Sequence, residues 1–298
     1  MHQHSHAQRL SERQDDADLE QLVEQVLGCP RCHGPLQVRR GQILCPAEGC
    51  RFVGSIADGI ASVGEHASAG LFDAKHQVMQ HGSDKPGVRR LCYAEQASLL
   101  EKRLRPETRV LDVGCGPRLP YRRTSPYFLI GLDPSYESLR QNTDVDLRVF
   151  GHAGALPLPD RSVDTILSLY AIHHFGGHTV RENQHRVERA FVEFGRVLKP
   201  GGELFIFELE PWWPFWKLQV TLWDQIRRIL PGFDILFWRE RALKTACETQ
   251  LHRHAAYTRT TFSSPMFMFF APVFAFPHIQ VPRLAFPFTI SLYHWHVS

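Results

Sequence analysis

The chain has 298 residues, 43% of them hydrophobic and 22% charged, which is long enough for one large core and a small additional domain. Its 34 Lys and Arg nearly balance 31 Asp and Glu, and a formal net charge of +3 excludes a protein held to polyanions by bulk charge. No run of about 18 apolar residues reads as a membrane-spanning helix and the polar start does not read as a signal peptide, so the sequence predicts a cytoplasmic protein whose seven cysteines are thiols or metal ligands rather than disulfides.

Residues 1–20 carry three histidines, many charges and little apolar periodicity, and are expected to form a disordered lead. Leu22, Val23, Val26 and Leu27 then offer a short helical face that delivers the chain to Cys29-Pro30-Arg31-Cys32. A second pair, Cys45 and Cys50, follows with four residues between its members. Two cysteine pairs in tight turns, about a dozen residues apart, suit tetrahedral thiolate ligation of zinc. The alternative is that the four pack as small apolar residues. A closed site with four thiolates leaves no coordination position for a substrate, so the metal's role would be structural. Residues 21–63 hold too few apolar side chains to fold without it.

Residues 64–87, rich in Gly, Ala, Ser and His, read as a linker. A helix over 88–104, with Leu91, Leu99, Leu100 and Leu104 inward, stops near Pro106. Arg109 to Val113 is an apolar run carrying Asp112, and it breaks into the turn Gly114-Cys115-Gly116. This is the form of a first strand in a doubly wound sheet, where a ligand sits outside the carboxyl ends of the strands and glycines let the backbone approach it. A second apolar run over 127–133 ends at Asp133, about 20 residues past Asp112, the separation of an acid that grips ribose hydroxyls. Between them, Pro117 to Pro126 forbids a long regular helix, so this crossover should hold a turn or two at most. Further strands are expected over 145–151, 164–169 and 203–208. A long helix carries Val180, Val187, Phe191, Phe194, Val197 and Leu198 on one face and ends at Lys199-Pro200-Gly201-Gly202. Alternating strands and helices make the fold α/β.

In this order the glycine turn, Asp133, Gly151-His152-Ala153, Leu156-Pro157-Leu158-Pro159-Asp160 and the Lys-Pro-Gly-Gly turn resemble the class I S-adenosylmethionine-dependent methyltransferases, in particular the group that contains the ubiquinone and menaquinone methylases. The resemblance covers about residues 90–210 and implies a Rossmann-like, doubly wound, seven-stranded sheet over 88–298. The segment 21–63 is similar to the zinc-ribbon modules that are fused to, or partner, methyltransferases. The cofactor site implied is Asp112 at the ammonium end, Gly114 and Gly116 under the methionine, Asp133 on the ribose, and His152 and Ala153 at the adenine. Asp112 also fits a turn-stabilising role, and Asp133 a helix N-cap near Ser135. His152 stands where relatives carry an aspartate, and Arg118 where a third glycine is usual. Tyr170, His173 and His174 lie after the fourth strand, at the mouth where a methyl acceptor enters. A histidine there can serve as general base or as a packing residue.

Past the fifth strand, Trp212, Phe215, Trp216, Leu222, Trp223, Ile226 and Ile229 fit a helical stripe, and 211–238 holds five of the six tryptophans. This stretch reads as a lid over an apolar acceptor site or a peripheral membrane contact, against ordinary core packing. A helical region over 240–256 and strands over 266–276 and 284–296 complete the chain as the antiparallel sheet edge. Three functions remain open at this point. They are methyl transfer to a small or lipid-like acceptor, methylation of an RNA base, and a cofactor-binding scaffold without catalysis. RNA is less favoured because Ser168-Leu169-Tyr170-Ala171 replaces the Asn-Pro-Pro-Tyr type motif, and no DNA contact is expected.

Overall fold

The computed structural model describes residues 17–64, 86–230, 235–251, 255–262, 267–269, 280–282 and 287–298. Most of the lead and nearly all of the linker read from the sequence lie outside these residues. Helix α1 (17–26) begins inside the expected lead, because Leu19 adds a turn to the periodic set Leu22, Val23 and Val26. Four short strands follow as an antiparallel meander: β1 (Gln37–Arg39), β2 (Gln42–Leu44), β3 (Val53–Ala57) and β4 (Ile60–Ser62).

Helix α2 (Pro86–Arg103) leads into β5 (Arg109–Val113), and then come β6 (Phe128–Asp133), α3 (Tyr136–Gln141), β7 (Leu147–Phe150) and β8 (Val163–Leu169). After a single 3-10 turn, Ile172–His174, come α4 (Val180–Val197), β9 (Leu198–Pro211), α5 (Trp213–Ile229), α6 (Glu240–Gln250), β10 (Ala255–Phe262) and β13 (Phe288–Val297). Between the last two, β11 (Phe267–Phe269) and β12 (Gln280–Pro282) pair with each other in a separate two-stranded sheet.

The large sheet runs β1-β2-β3-β4-β7-β6-β5-β8-β9-β13-β10. From β7 to β10 this is the seven-stranded doubly wound arrangement that the resemblance implied. Strands β7, β6, β5, β8 and β9 are parallel, and β13 is antiparallel between β9 and β10. Successive residues of β5 serve opposite faces, as the pleat requires. Leu111 and Val113 join Phe191, Phe194 and Val197 of α4 on one side. On the other, Val110 joins Leu100, Leu104, Phe205 and Phe207. Each fully buried phenylalanine contributes about 1.5–3 kcal/mol through area removed from water.

The edge strands differ from the sequence reading. Of the expected strand over 266–276 the described part is β11, which belongs to the separate two-stranded sheet; residues 266 and 270–276 lie outside the described residues. Its place is taken by Ala255–Phe262, whose first residues had been read as the tail of a helix. Tyr257, Thr258, Thr260, Thr261 and Phe262 favour the pleated conformation, and α6 stops at Gln250. The 64–87 boundary also moves, because α2 starts at Pro86, a residue pre-set for a first helical turn.

The cysteine-bearing meander continues the same sheet, because β4 pairs in parallel with β7. Val63 and Gly64 both donate to the Phe150 carbonyl at 3.1 Å, and Gly28 donates to Pro157 O at 3.0 Å. One hydrophobic core runs from Val23, Leu27, Ile43 and Phe52 through Val149, Leu156 and Leu158 to Phe191. Among the described residues no helix is long and apolar enough to cross a membrane.

Candidate functional site

The carboxyl ends of β5, β6, β7 and β8 bring the predicted residues to one edge of the sheet. Gly114 has φ +77 and Gly116 φ +61, a left-handed conformation that glycine adopts without a side-chain clash. Asp133 holds this turn, since its Oδ2 accepts the Gly116 N–H at 2.9 Å and its Oδ1 the Ser135 N–H at 2.8 Å. The carbonyl of Gly116 is fixed from the other side by Asn142 Nδ2 at 2.8 Å. The N-cap of α3 is Ser135, whose hydroxyl accepts the Ser138 N–H at 3.1 Å, so Asp133 is not the cap. A Cβ on Gly116 would meet nothing within 4 Å, whereas one on Gly114 would stand 2.5 Å from Ala171 Cβ. The open face of the turn is therefore at Gly116.

Asp112 is 1% exposed. Tyr121 donates its hydroxyl to Asp112 Oδ2 at 2.9 Å, and Oδ1 has no hydrogen-bond partner among the described residues. Burial pushes the Asp112 carboxyl up to about 7; the Tyr121 hydrogen bond opposes the rise and the neighbouring Asp133 charge adds to it. A buried carboxylate oxygen with no donor costs energy that a bound cation would recover. Gly151 donates to the Asp133 carbonyl at 3.3 Å, which places the end of β7 beside the same turn. His152, just beyond it, is exposed and Ala153 is buried.

The three acceptor-side residues divide. Tyr170 has φ +56 at the end of β8, and its hydroxyl donates to Gln96 of α2 at 2.7 Å. His173 is buried against Glu208 of β9, with Nδ1 2.7 Å from Oε2 and the His173 backbone N–H donating to Oε1 at 3.3 Å. His174 is partly exposed, its ring centroid 4.3 Å from that of His173. Residues 235–238 cross here. Leu236 donates to the His173 carbonyl at 3.0 Å, and Phe237 lies 5.0 Å from the His173 ring. Glu208 and Gln96 escaped the sequence reading because each lies on an element far from its partner along the chain, and Tyr121 because it sits in an irregular loop whose path no periodicity predicts.

Helix α5 departs from the predicted stripe. Its buried side carries Gln219 and Trp223, the latter donating Nε1–H to His178 O at 3.1 Å, with Phe215 edge-on to Phe288. Of the predicted stripe, Trp212, Leu222 and Ile229 are exposed, together with Trp213, Leu218 and Leu230. The helix has two apolar sides, and hydrophobic spacing alone does not choose between them.

In the meander, Cys29, Cys32, Cys45 and Cys50 place their sulfurs all within 4.8 Å of one another. Cys29 and Cys50 sulfurs are 3.5 Å apart and those of Cys32 and Cys45 3.4 Å, near the ~3.8 Å that a tetrahedral zinc with 2.3 Å bonds imposes. The Gly34 N–H, followed by the Cys45 thiol, lowers Cys32 to about 7, within reach of the thiolate form that binds metal. Cys115 and Cys247 are buried away from this group. A cavity of about 560 Å³ opens at the opposite edge of the sheet, between Arg109, Asp164 and Lys199. Lys199 and Asp164 already pair at 2.8 Å there.

Residues 111–206 match a family model described as a methyltransferase domain. A Mus musculus protein named "Probable tRNA methyltransferase 9B" is 34% identical over 152 residues, 50% of this chain and 30% of that protein. A ubiquinone/menaquinone biosynthesis C-methyltransferase of Rubrivivax gelatinosus is 38% identical over 96 residues, 29% of this chain and 34% of the relative. The chain spans less than half the length of these curated relatives. Among solved structures, a complex of the Haloferax volcanii Trm112 methyltransferase activator with a methyltransferase aligns with a TM-score of 0.51 at 19% identity, over 78% of this chain and 97% of that one. A protein of Pyrococcus horikoshii aligns with a TM-score of 0.50 at 15% identity, over 76% and 99%. At these identities the likeness to the solved structures is one of fold.

Proposed function

We propose, from the match of residues 111–206 to a methyltransferase family model, that the chain is a class I S-adenosylmethionine-dependent methyltransferase that transfers the cofactor's methyl group to a small, apolar or lipid-like acceptor. The observation that carries the cofactor half is the pairing of an unsatisfied buried Asp112 Oδ1 with the open face of Gly116. Asp112 would hold the ammonium group and Asp133 the ribose hydroxyls, through acceptor capacity its two backbone bonds leave over. Gly114 and Gly116 admit the methionine chain, while His152 and the Ala153 backbone flank the adenine. The bound cofactor supplies an electrophilic methyl on a sulfonium, and the protein's share is alignment of the acceptor with it.

The acceptor half rests on the cover over His173. Phe237 packs its ring against His173 and the Leu236 backbone closes over it, which favours an apolar acceptor. His173, oriented by Glu208, is the group we assign as general base where the acceptor carries a proton. Tyr170 and His174 shape the mouth. Exposed Trp212, Trp213, Leu218, Leu222 and Ile229 beside Lys217 and Arg228 suit a peripheral contact with a membrane surface. Cys29, Cys32, Cys45 and Cys50 hold one structural zinc ion in this reading.

The test is a label-transfer screen with methyl-tritiated S-adenosylmethionine against quinols, phenols, fatty acids and RNA. RNA is included because one relative is named for tRNA. Label in an apolar acceptor is the expected result. Label in RNA alone overturns the acceptor, and cofactor binding with no label in any acceptor overturns the enzyme reading in favour of a scaffold.

A further inference from the structure

Tyr121 lies in the crossover after Gly116, the part of the chain that departs most from the family pattern. Prolines at 117, 120 and 126 keep this segment out of a helix, and no helix forms between β5 and β6. The loop instead folds Tyr121 inward. Its ring is 5% exposed and packs with Leu100, Leu104, Val110 and Tyr127. A tyrosine packed in this way has little torsional freedom, so its hydroxyl is a fixed donor, and it is aimed at Asp112 Oδ2 at 2.9 Å.

We propose that Tyr121 is the positioning residue of the cofactor's ammonium site, holding Asp112 by Oδ2 so that Oδ1 is the oxygen presented to the cation. The proposal rests on the reading of Asp112 as the ammonium partner. The titratable groups set against Asp112 are Tyr121 from the loop, Asp133 from β6, Cys115 from the turn and Tyr127 from the approach to β6. Among the described residues only Tyr121 gives the carboxylate a hydrogen bond. Burial and the Asp133 charge both favour the protonated form, which binds no cation, and the phenol is the group that opposes them. The loop that takes the place of the usual helix thus also supplies the donor that opposes protonation of the anchor.

The experiment is titration of the full chain with S-adenosylhomocysteine from pH 6 to 9, for wild type and Tyr121→Phe. Comparing the two affinities at each pH cancels ionisation of the ligand itself. A hydrogen bond of ordinary strength changes the ionisation equilibrium about tenfold, so the variant's midpoint rises by about one pH unit. The variant then binds about fivefold more weakly at pH 7 and nearly as well as wild type at pH 9. A ratio that does not change with pH, whatever its size, overturns the proposal, because a purely structural tyrosine would cost the same affinity throughout. Site-specific 3-fluorotyrosine at 121, a stronger donor of nearly the same shape, should move the midpoint down; an unmoved midpoint counts equally against it. Asp112→Asn separates the two layers. If it binds as wild type, the assignment of Asp112 itself fails. If it loses affinity while Tyr121→Phe leaves the profile unmoved, only the role of Tyr121 fails.

Discussion

Alanine at Gly116 and alanine at Gly114 add the same methyl group two residues apart, into different surroundings. At Gly114 the new Cβ would stand 2.5 Å from Ala171 Cβ with φ held at +77. The left-handed backbone costs an L-residue about 1–2 kcal/mol, and forcing an extra carbon into a packed site typically another 1–3. A total near 3.5 kcal/mol corresponds to a fall in Tm of about 6 °C for a chain of this size. At Gly116, with φ +61 and nothing within 4 Å, only the backbone cost applies, and Tm should fall by about 2–3 °C. The methyl there enters the open face of the turn, which the cofactor must approach closely, so affinity should fall by tenfold or more. The assays are a thermal melt without ligand and calorimetric titration with S-adenosylhomocysteine. Gly116→Ala binding as wild type would refute the placement of the cofactor against this turn. A Gly114→Ala melt equal to wild type would refute the close packing of the turn on Ala171.

Metal analysis should find about one zinc per chain, and Cys29→Ser should lose it. Because the meander shares one core with the rest of the sheet, chelation should lower a single melting transition, and two separate transitions would contradict that shared core. Asp133→Ala removes two charge-assisted acceptors, each worth about 1.5–3 kcal/mol, so both Tm and cofactor affinity should drop, the latter at least tenfold. Unchanged affinity would exclude the ribose role. Glu208→Gln should reduce kcat by about 10–100-fold with little change in cofactor affinity if His173 acts as a base. An unaltered kcat makes the His173–Glu208 pair a packing feature. Leu218→Glu with Ile229→Glu should abolish sedimentation with anionic vesicles while leaving the melt near wild type, and equal sedimentation would rule out α5 as the membrane contact.

Strands β5, β6, β7, β8 and β9 were legible in the sequence because a parallel strand covered on both faces must be apolar along its length, and its end is punctuated by Asp or Gly where the chain turns. Helix α4 was equally plain, with a single wet face and a single buried one. The four cysteines were found by spacing, since tight turns bring each pair together locally. Other features depended on distances that no local pattern encodes. Strand β13 slots between β9 and β10, with residues 263–287 between it and β10 along the chain. Strand β4 becomes a neighbour of β7 only when the backbone hydrogen bonds of two distant segments find each other. For α5, two apolar sides satisfied the same periodicity, and contact with Phe237, Phe288 and the 178 carbonyl decided which was buried. The partners of the site, Tyr121 for Asp112 and Glu208 for His173, were likewise settled by the tertiary structure, because hydrogen bonding across a sheet edge depends on where side chains end up in space and leaves no spacing rule along the chain.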